Sequence, residues 1–292
     1  MKNNRSAAFL CIPVILCVFL CPARSGAAAP DSTGAVVKAH PALWAQAVKI
    51  FESSKDLIPG KAIQKIQELE DDGRVKSQTD VDITLSLDGA GKIKSDIVRA
   101  SKDGKDITAE ERKKAEERSK KEAARKSAKQ EAAKKDAKKD SKSDSDGDSK
   151  ERSHSFSMDA SPFNPERQND VRVTEAKSGE MIDGARCTCF GFSYPEKTAK
   201  QSKGKPAAIV GKAWIDESSG RAITLEYTSD PLPKHVKSMT TTMRYGMDGT
   251  GSWVLKQMVF DVRAAFLVIN KKIHGDITFS DYWKYIEPSP QK

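Results

Sequence analysis

From Pro41 to Ser54 the apolar residues Leu43, Trp44, Ala47, Val48 and Phe51 recur three and four apart, which predicts a helix with one apolar side. Ile63, Ile66 and Leu69 recur at every third position, so a second, shorter helix is expected from Lys61 to Leu69. The period then drops to two. Val81, Ile83, Leu85 and Leu87 alternate with polar residues, Asp88-Gly89-Ala90-Gly91 supplies a turn, and an apolar segment returns from Ile93 to Val98. This is the pattern of a β-hairpin.

Period two resumes further along, with strands expected near 171–177, 184–194, 207–216, 221–229, 237–246, 252–262, 264–273 and 276–285. The connectors Glu217-Ser218-Ser219-Gly220 and Asp248-Gly249-Thr250-Gly251 are short, so neighbouring strands should pair antiparallel in a meander. Parity puts Ile223, Leu225 and Tyr227 on one face of their strand and Thr224 and Glu226 on the other. Met239, Met243 and Tyr245 oppose Ser238 and Arg244 in the same way, and Met258, Phe260 and Val262 oppose Gln257 and Asp261. A single sheet with one apolar face must cover it with helices, a second sheet or a ligand.

Between the two ordered regions the composition changes. From Thr108 to about Asp140 the chain is mainly Ala, Glu, Lys and Arg, with no recurring large apolar side chain and therefore no face to bury. A helix is still expected, because Thr108 and Glu111 fit a capping box and five Glu residues precede a Lys by four positions. At about 0.2 to 0.5 kcal/mol each, such pairs bias a helix without making it rigid. Residues 140–157 are mostly Ser, Asp, Lys and Gly, and read as a disordered spacer. The whole insert supplies so little apolar burial that its removal from 109 to 153 should leave the fold standing.

The start of the chain has the order of a secretory signal: Lys2 and Arg5, an apolar run from Ala7 to Leu20, then small residues up to Ala27 and Ala28. Leucines precede Cys11, Cys17 and Cys21, where a lipoprotein signal needs a small residue. Export to the periplasm is the expectation, with residues 1–27 removed. The rest divides into N-terminal helices and a first hairpin (28–100), the charged insert (101–157) and the remaining sheet (158–292).

The formal charge of +9 brings nucleic acid to mind, but part of it belongs to the signal and part to the insert, where acids and bases alternate. No nucleic-acid partner is expected. The insert is instead suited to an anionic membrane surface, by a contact that salt would weaken. Cys187 and Cys189 lie on one face of a strand, roughly 6.5 to 7 Å apart, at or past the limit for an unstrained disulfide. His40, His154, His235 and His274 match no metal-ligand spacing, and neither a nucleophile elbow nor a phosphate-cradling loop occurs. Asp144-Ser145-Asp146-Gly147-Asp148 resembles a calcium loop, but its Gly falls too early and Ser155 stands where the closing Glu belongs. The expectation is a monomeric, non-enzymatic protein without metal or cofactor.

The run Gly211-Lys212-Ala213-Trp214-Ile215-Asp216, followed by Gly220 and Ile223-Thr224-Leu225-Glu226-Tyr227, resembles the LolA-like superfamily of exported lipoprotein-sorting and lipoprotein-carrier proteins. Tyr245, Trp253, Met258 and the terminal Phe279-Ser280-Asp281-Tyr282-Trp283 fit the same repeated pattern. The resemblance covers chiefly 205–285. It implies a mainly β fold, a curved antiparallel half-barrel covered by helices on its concave face, which receives acyl chains. Its implied cargo is lipid or lipidated protein. Ile223, Leu225, Tyr227, Met239, Met243, Tyr245, Met258 and Phe260 would line the cavity, and Trp44 and Phe51 would belong to the lid. No arginine matches the lid-latching arginine of the carriers. The same architecture also resembles envelope modules that sense stress or bind protein partners.

Overall fold

The computed structural model describes residues 41–88, 93–137, 161–195, 208–266 and 269–285. The segments expected to be a secretory signal (1–27) and a disordered spacer (140–157) lie outside them. Helix α1 (Ala42–Ser54) forms as the three-and-four spacing predicts, burying Trp44, Ala47, Phe51 and Ser54. Next come β1 (Leu57–Ile58), β2 (Lys61–Leu69), β3 (Val75–Leu87), β4 (Ile93–Lys102), β5 (Lys105–Asp106) and helix α2 (Thr108–Ala137). A 3-10 turn (Pro165–Arg167) precedes β6 (Arg172–Ile182), β7 (Ala185–Pro195), β8 (Ala208–Asp216) and β9 (Ala222–Asp230). The chain continues through β10 (Val236–Met247), β11 (Trp253–Phe266), β12 (Ile269–Ser280) and β13 (Trp283–Lys284).

Two expectations are corrected. Lys61–Leu69 is a strand, because Ala62, Gln64 and Ile66 form an inward row between β12 and β3. A spacing of three over nine residues fits either period, and pairing on both sides decides for the strand. The three terminal strands expected over 252–285 are two long ones and a short β13, which pairs with β1 apart from the main sheet.

Eleven strands form one antiparallel sheet in the order β5-β4-β3-β2-β12-β11-β10-β9-β8-β7-β6. Each strand lies beside its neighbour in sequence except where β12 returns to β2. The sheet would therefore close into a barrel if β5 met β6, and residues 107–171 occupy the chain between those two edges. It stays an open, curved half-barrel. Unpaired extra residues at Val98, Ile223 and Lys256 interrupt the ladders, and such bulges bend a sheet.

Across the concave face one row of paired residues runs Phe190, Ala213, Leu225, Met243, Met258, Ile277, Gln64, Val81 and Ala100. In the adjacent row Phe192 lies opposite Gly211 and Phe260 opposite Gly275. At both glycines a Cβ would run into the facing ring, so each large ring beds onto bare backbone.

Helix α2 forms where expected, but its first turns belong to the sheet. The Thr108 hydroxyl exchanges hydrogen bonds with the backbone of Ala100 instead of closing a capping box, and Asp106 takes the Thr108 N–H at 2.8 Å. Arg112 donates to the carbonyl oxygens of Ile97 at 2.7 Å and Val98 at 3.0 Å, occupying acceptors on β4.

Candidate functional site

The concave face carries two apolar clusters. In the first, α1 lies on β7, β8 and β9, with Trp44 completely buried among Phe163, Phe190 and Phe192. The segment 161–168 plugs the same end: Ser161, Pro162, Phe163 and Asn164 are buried, and the Phe163 ring sits 4.7 Å from that of Trp44. Polar groups hold this arrangement. Trp44 Nε1 donates to Gln168 Oε1 at 3.0 Å, and Gln168 Nε2 donates to the carbonyls of Pro162 and Asn164, both at 2.8 Å. In the first half of α1, Gln46 donates to Ser219 O at 3.1 Å and packs so closely on Gly220 that a Cβ there would meet its side chain, and the positive φ of Gly220 favours glycine as well.

The second cluster comprises Ala62, Ile83, Leu255, Met258, Phe260, Ile277 and Phe279, with partly exposed Ile66, Val81, Leu85, Val262, Ile273 and Tyr282 around it. No residue of α1 or of segment 161–168 belongs to it. Met243 and Tyr245 pack against both clusters and join them.

The expected lining residues divide accordingly. Leu225 is wholly buried beneath α1, in the same cluster as Trp44 and Phe51, which are fixed there as core. Tyr227 packs beside them, Met243 and Tyr245 stand at the junction, and Met258 and Phe260 lie in the second cluster. Ile223 and Met239 belong to neither. Ile223 is the bulged residue between Ala222 and Thr224, and the bulge places Ala222 in the core instead. Met239 is paired with Val262, at the margin of the second cluster.

The sequence reading missed Phe163, for which the signal was the apolar pair Pro162-Phe163 next to Asn164-Pro165, an N-cap followed by a proline. It also passed over the inward alternation of Phe190, Phe192 and Tyr194 on β7.

The tyrosines are neutral donors. Burial pushes the Tyr227 hydroxyl up to about 12, although a hydrogen bond with Thr241 works in the opposite direction. Burial, with Tyr227 nearby, raises that of Tyr245, whose partners are Ser161 and the sulfur of Met243 at 3.7 Å.

Cys187 and Cys189 lie on the convex face opposite Asp216 and Trp214, both buried and both free thiols. Burial and the nearby carboxylate of Asp216 push Cys187 up to about 11, and burial raises Cys189 as well. A thiol raised in this way favours the fold below its unfolded value of 9.0 and loses that contribution as pH climbs toward 11. At pH 8 a disulfide-exchange reagent should label the native protein at least tenfold more slowly than the denatured chain. Equal rates in the two states would contradict this burial.

Among the described residues no group of three or more His, Cys, Asp or Glu side chains is placed to hold a metal ion, and no helix is long and apolar enough to cross a membrane. His274 faces Asp261 across β11 and β12 at 2.9 Å, on the convex side.

The chain is similar to the crystal structure of a DUF1329 family protein from Desulfovibrio piger, with a TM-score of 0.31 and 12% sequence identity over 85% of this chain and 94% of that one. No family model and no curated protein matches the sequence.

Proposed function

We propose that this protein is an exported, periplasmic, non-enzymatic binder of lipid acyl chains or of lipidated protein, in the manner of outer-membrane lipoprotein-sorting proteins. The observation that carries this reading is the second apolar cluster. It continues the buried face of the sheet with no member from α1 or from segment 161–168, and its margin of Ile66, Val81, Val262 and Ile273 stays half-buried, with apolar surface left to cover. An apolar concave face of this kind is stabilised by whatever removes it from water.

An acyl chain laid along it loses contact with water at about 0.8 kcal/mol per methylene, part of which is offset by the cost of ordering the chain. Met243 packs against both clusters, where the helix-covered part of the face gives way to the second cluster and its half-buried margin. Its unbranched thioether can move aside for chains of different shape, as can that of Met258. The charged helix α2, in which basic residues outnumber acidic ones, would bring this face to an anionic membrane surface, and raised salt should release it.

Titration with a fluorescent fatty acid tests the reading. Met243→Ala and Met258→Ala should each weaken binding about tenfold, the equivalent of roughly two methylene contacts. Circular dichroism should keep the sheet signal. Thr224→Ala, on the convex face beside Arg244, should bind as the unmutated chain does. Absence of binding by the unmutated protein, or unchanged binding in both methionine variants, would sink the proposal.

A further inference from the structure

A cavity of about 380 Å³ opens at the rim of the half-barrel, between the end of α1 and the turns that precede β9 and β11. Its walls include Ile50, Leu57 and Trp253, with Ser53, Ser252 and Arg221 adding polar groups. It is separate from the second apolar cluster, to which none of these residues belongs.

Arg221 is the only charged residue among those that line it. Its guanidinium carbon stands 5.3 Å from the centre of the Trp253 ring, and Trp253 is fixed in turn by its Nε1, which donates to Ala222 O at 2.9 Å. Stacking holds the planar fork of donors in one orientation at little further entropic cost. Among the described residues Arg221 makes no ion pair, unlike Arg74 and Arg186, which face carboxylates at 2.8 and 3.0 Å.

Nor does Arg221 serve as a cap for α1. The last carbonyls of that helix are taken by Ser53 Oγ, which donates to Ile50 O at 2.7 Å, by Ser54 Oγ, which donates to Phe51 O at 3.1 Å, and by the Lys55 N–H on Glu52 O. Arg221 is thus a half-buried cation whose side-chain donors have no partner among the described residues, on the wall of a cavity large enough for a small organic molecule, and such a fork suits an oxyanion.

We infer that this rim cavity binds a small molecule or headgroup bearing a phosphate or carboxylate, with Arg221 as the oxyanion clamp and Ile50, Leu57 and Trp253 as the wall for its carbon portion. The inference does not depend on acyl binding at the concave face. Three probes in isothermal titration calorimetry separate the cases: glycerol 3-phosphate, lysophosphatidic acid, and a neutral monoacylglycerol.

Arg221→Gln should weaken the phosphate-bearing probes at least tenfold and leave the monoacylglycerol unchanged, and Arg221→Lys should retain part of the affinity. Ser53→Phe, an exposed helix position whose larger side chain would fill the cavity, should act as Arg221→Gln does. Binding of glycerol 3-phosphate by itself identifies a free anion as the ligand, and binding of lysophosphatidic acid alone identifies a lipid headgroup. The inference fails if the unmutated chain binds neither phosphate probe, or if Arg221→Gln and Ser53→Phe bind them as tightly as it does. Failure of the monoacylglycerol alone would count against the acyl reading and leave this site intact.

Discussion

Trp44→Ala should lower the thermal unfolding midpoint by on the order of 10 °C, the equivalent of about 3 to 5 kcal/mol for deleting a buried tryptophan. Trp44 has no exposed surface and holds together three elements that are far apart in sequence. Its ring packs on Phe163 from the plug and on Phe190 and Phe192 from β7, and its Nε1 is the partner of Gln168. Truncation leaves a cavity, and it also takes from Gln168 Oε1 the donor it faces in the core. Trp44→Phe retains much of the apolar contact and loses the hydrogen bond, so its cost should be clearly smaller. Differential scanning calorimetry of the two variants separates the packing contribution from the polar one. A midpoint within a few degrees of the unmutated protein for Trp44→Ala would mean that α1 and the plug are dispensable covers and not parts of the core.

The residues that made the fold legible were those whose period left one choice. Leu43 to Phe51 fit a helix and no strand, and the alternation along β8, β9, β10 and the start of β11 fixed the inward set to within a residue. Lys61–Leu69 failed because a short run with apolar residues every third position carries no unique period, and what decides it is pairing with β12, more than two hundred residues away. Ile223 failed for a related reason. Strict alternation assumes an unbroken ladder, and the bulge there is a property of the β8–β9 pair, invisible in either strand alone.

The candidate site was only half legible. Parity found Leu225, Met243, Met258 and Phe260 on one face, but it could not say which of them the helix covers. Leu225 turned out to lie wholly beneath α1 and Met258 beyond it, a division set by where Gln46 and Trp44 anchor the helix. Phe163 escaped notice because it follows a long biased stretch whose composition masks a short ordered plug. The resemblance to lipoprotein carriers offered a lid, and Trp44 and Phe51 are where such a lid would be. Both are buried in the first cluster, over one part of the face, and the second cluster holds no residue of their helix.

Cutting the insert at two different points should give two different proteins. Removing residues 119–157 and joining the ends with a short polar linker should leave the unfolding midpoint within a few degrees. The chain lost has almost no apolar surface to bury, and a longer or shorter loop changes closure entropy only slowly. Removing residues 109–157 should instead destabilise the protein and promote self-association, which corrects the expectation from composition that 109–153 is dispensable: the first turns of α2 are bonded to β4. That deletion takes away Arg112, which donates to Ile97 O and Val98 O, and Glu111, buried beside Lys114 at 2.8 Å. It also exposes the edge of β4, where the apolar pair Ile97-Val98 lies and Val98 is already 50% exposed. An uncovered edge strand is a template for pairing with another chain. Arg112→Ala in the full-length protein isolates the clamp: its hydrogen bonds are solvent-exposed, so the loss should be about 1 kcal/mol, with a measurable rise in sheet-to-sheet association on heating. Light scattering during thermal unfolding reads both effects. If the longer deletion unfolds at the same temperature as the shorter one and stays monomeric, the first turns of α2 are mere attachment and the sheet protects its own edge.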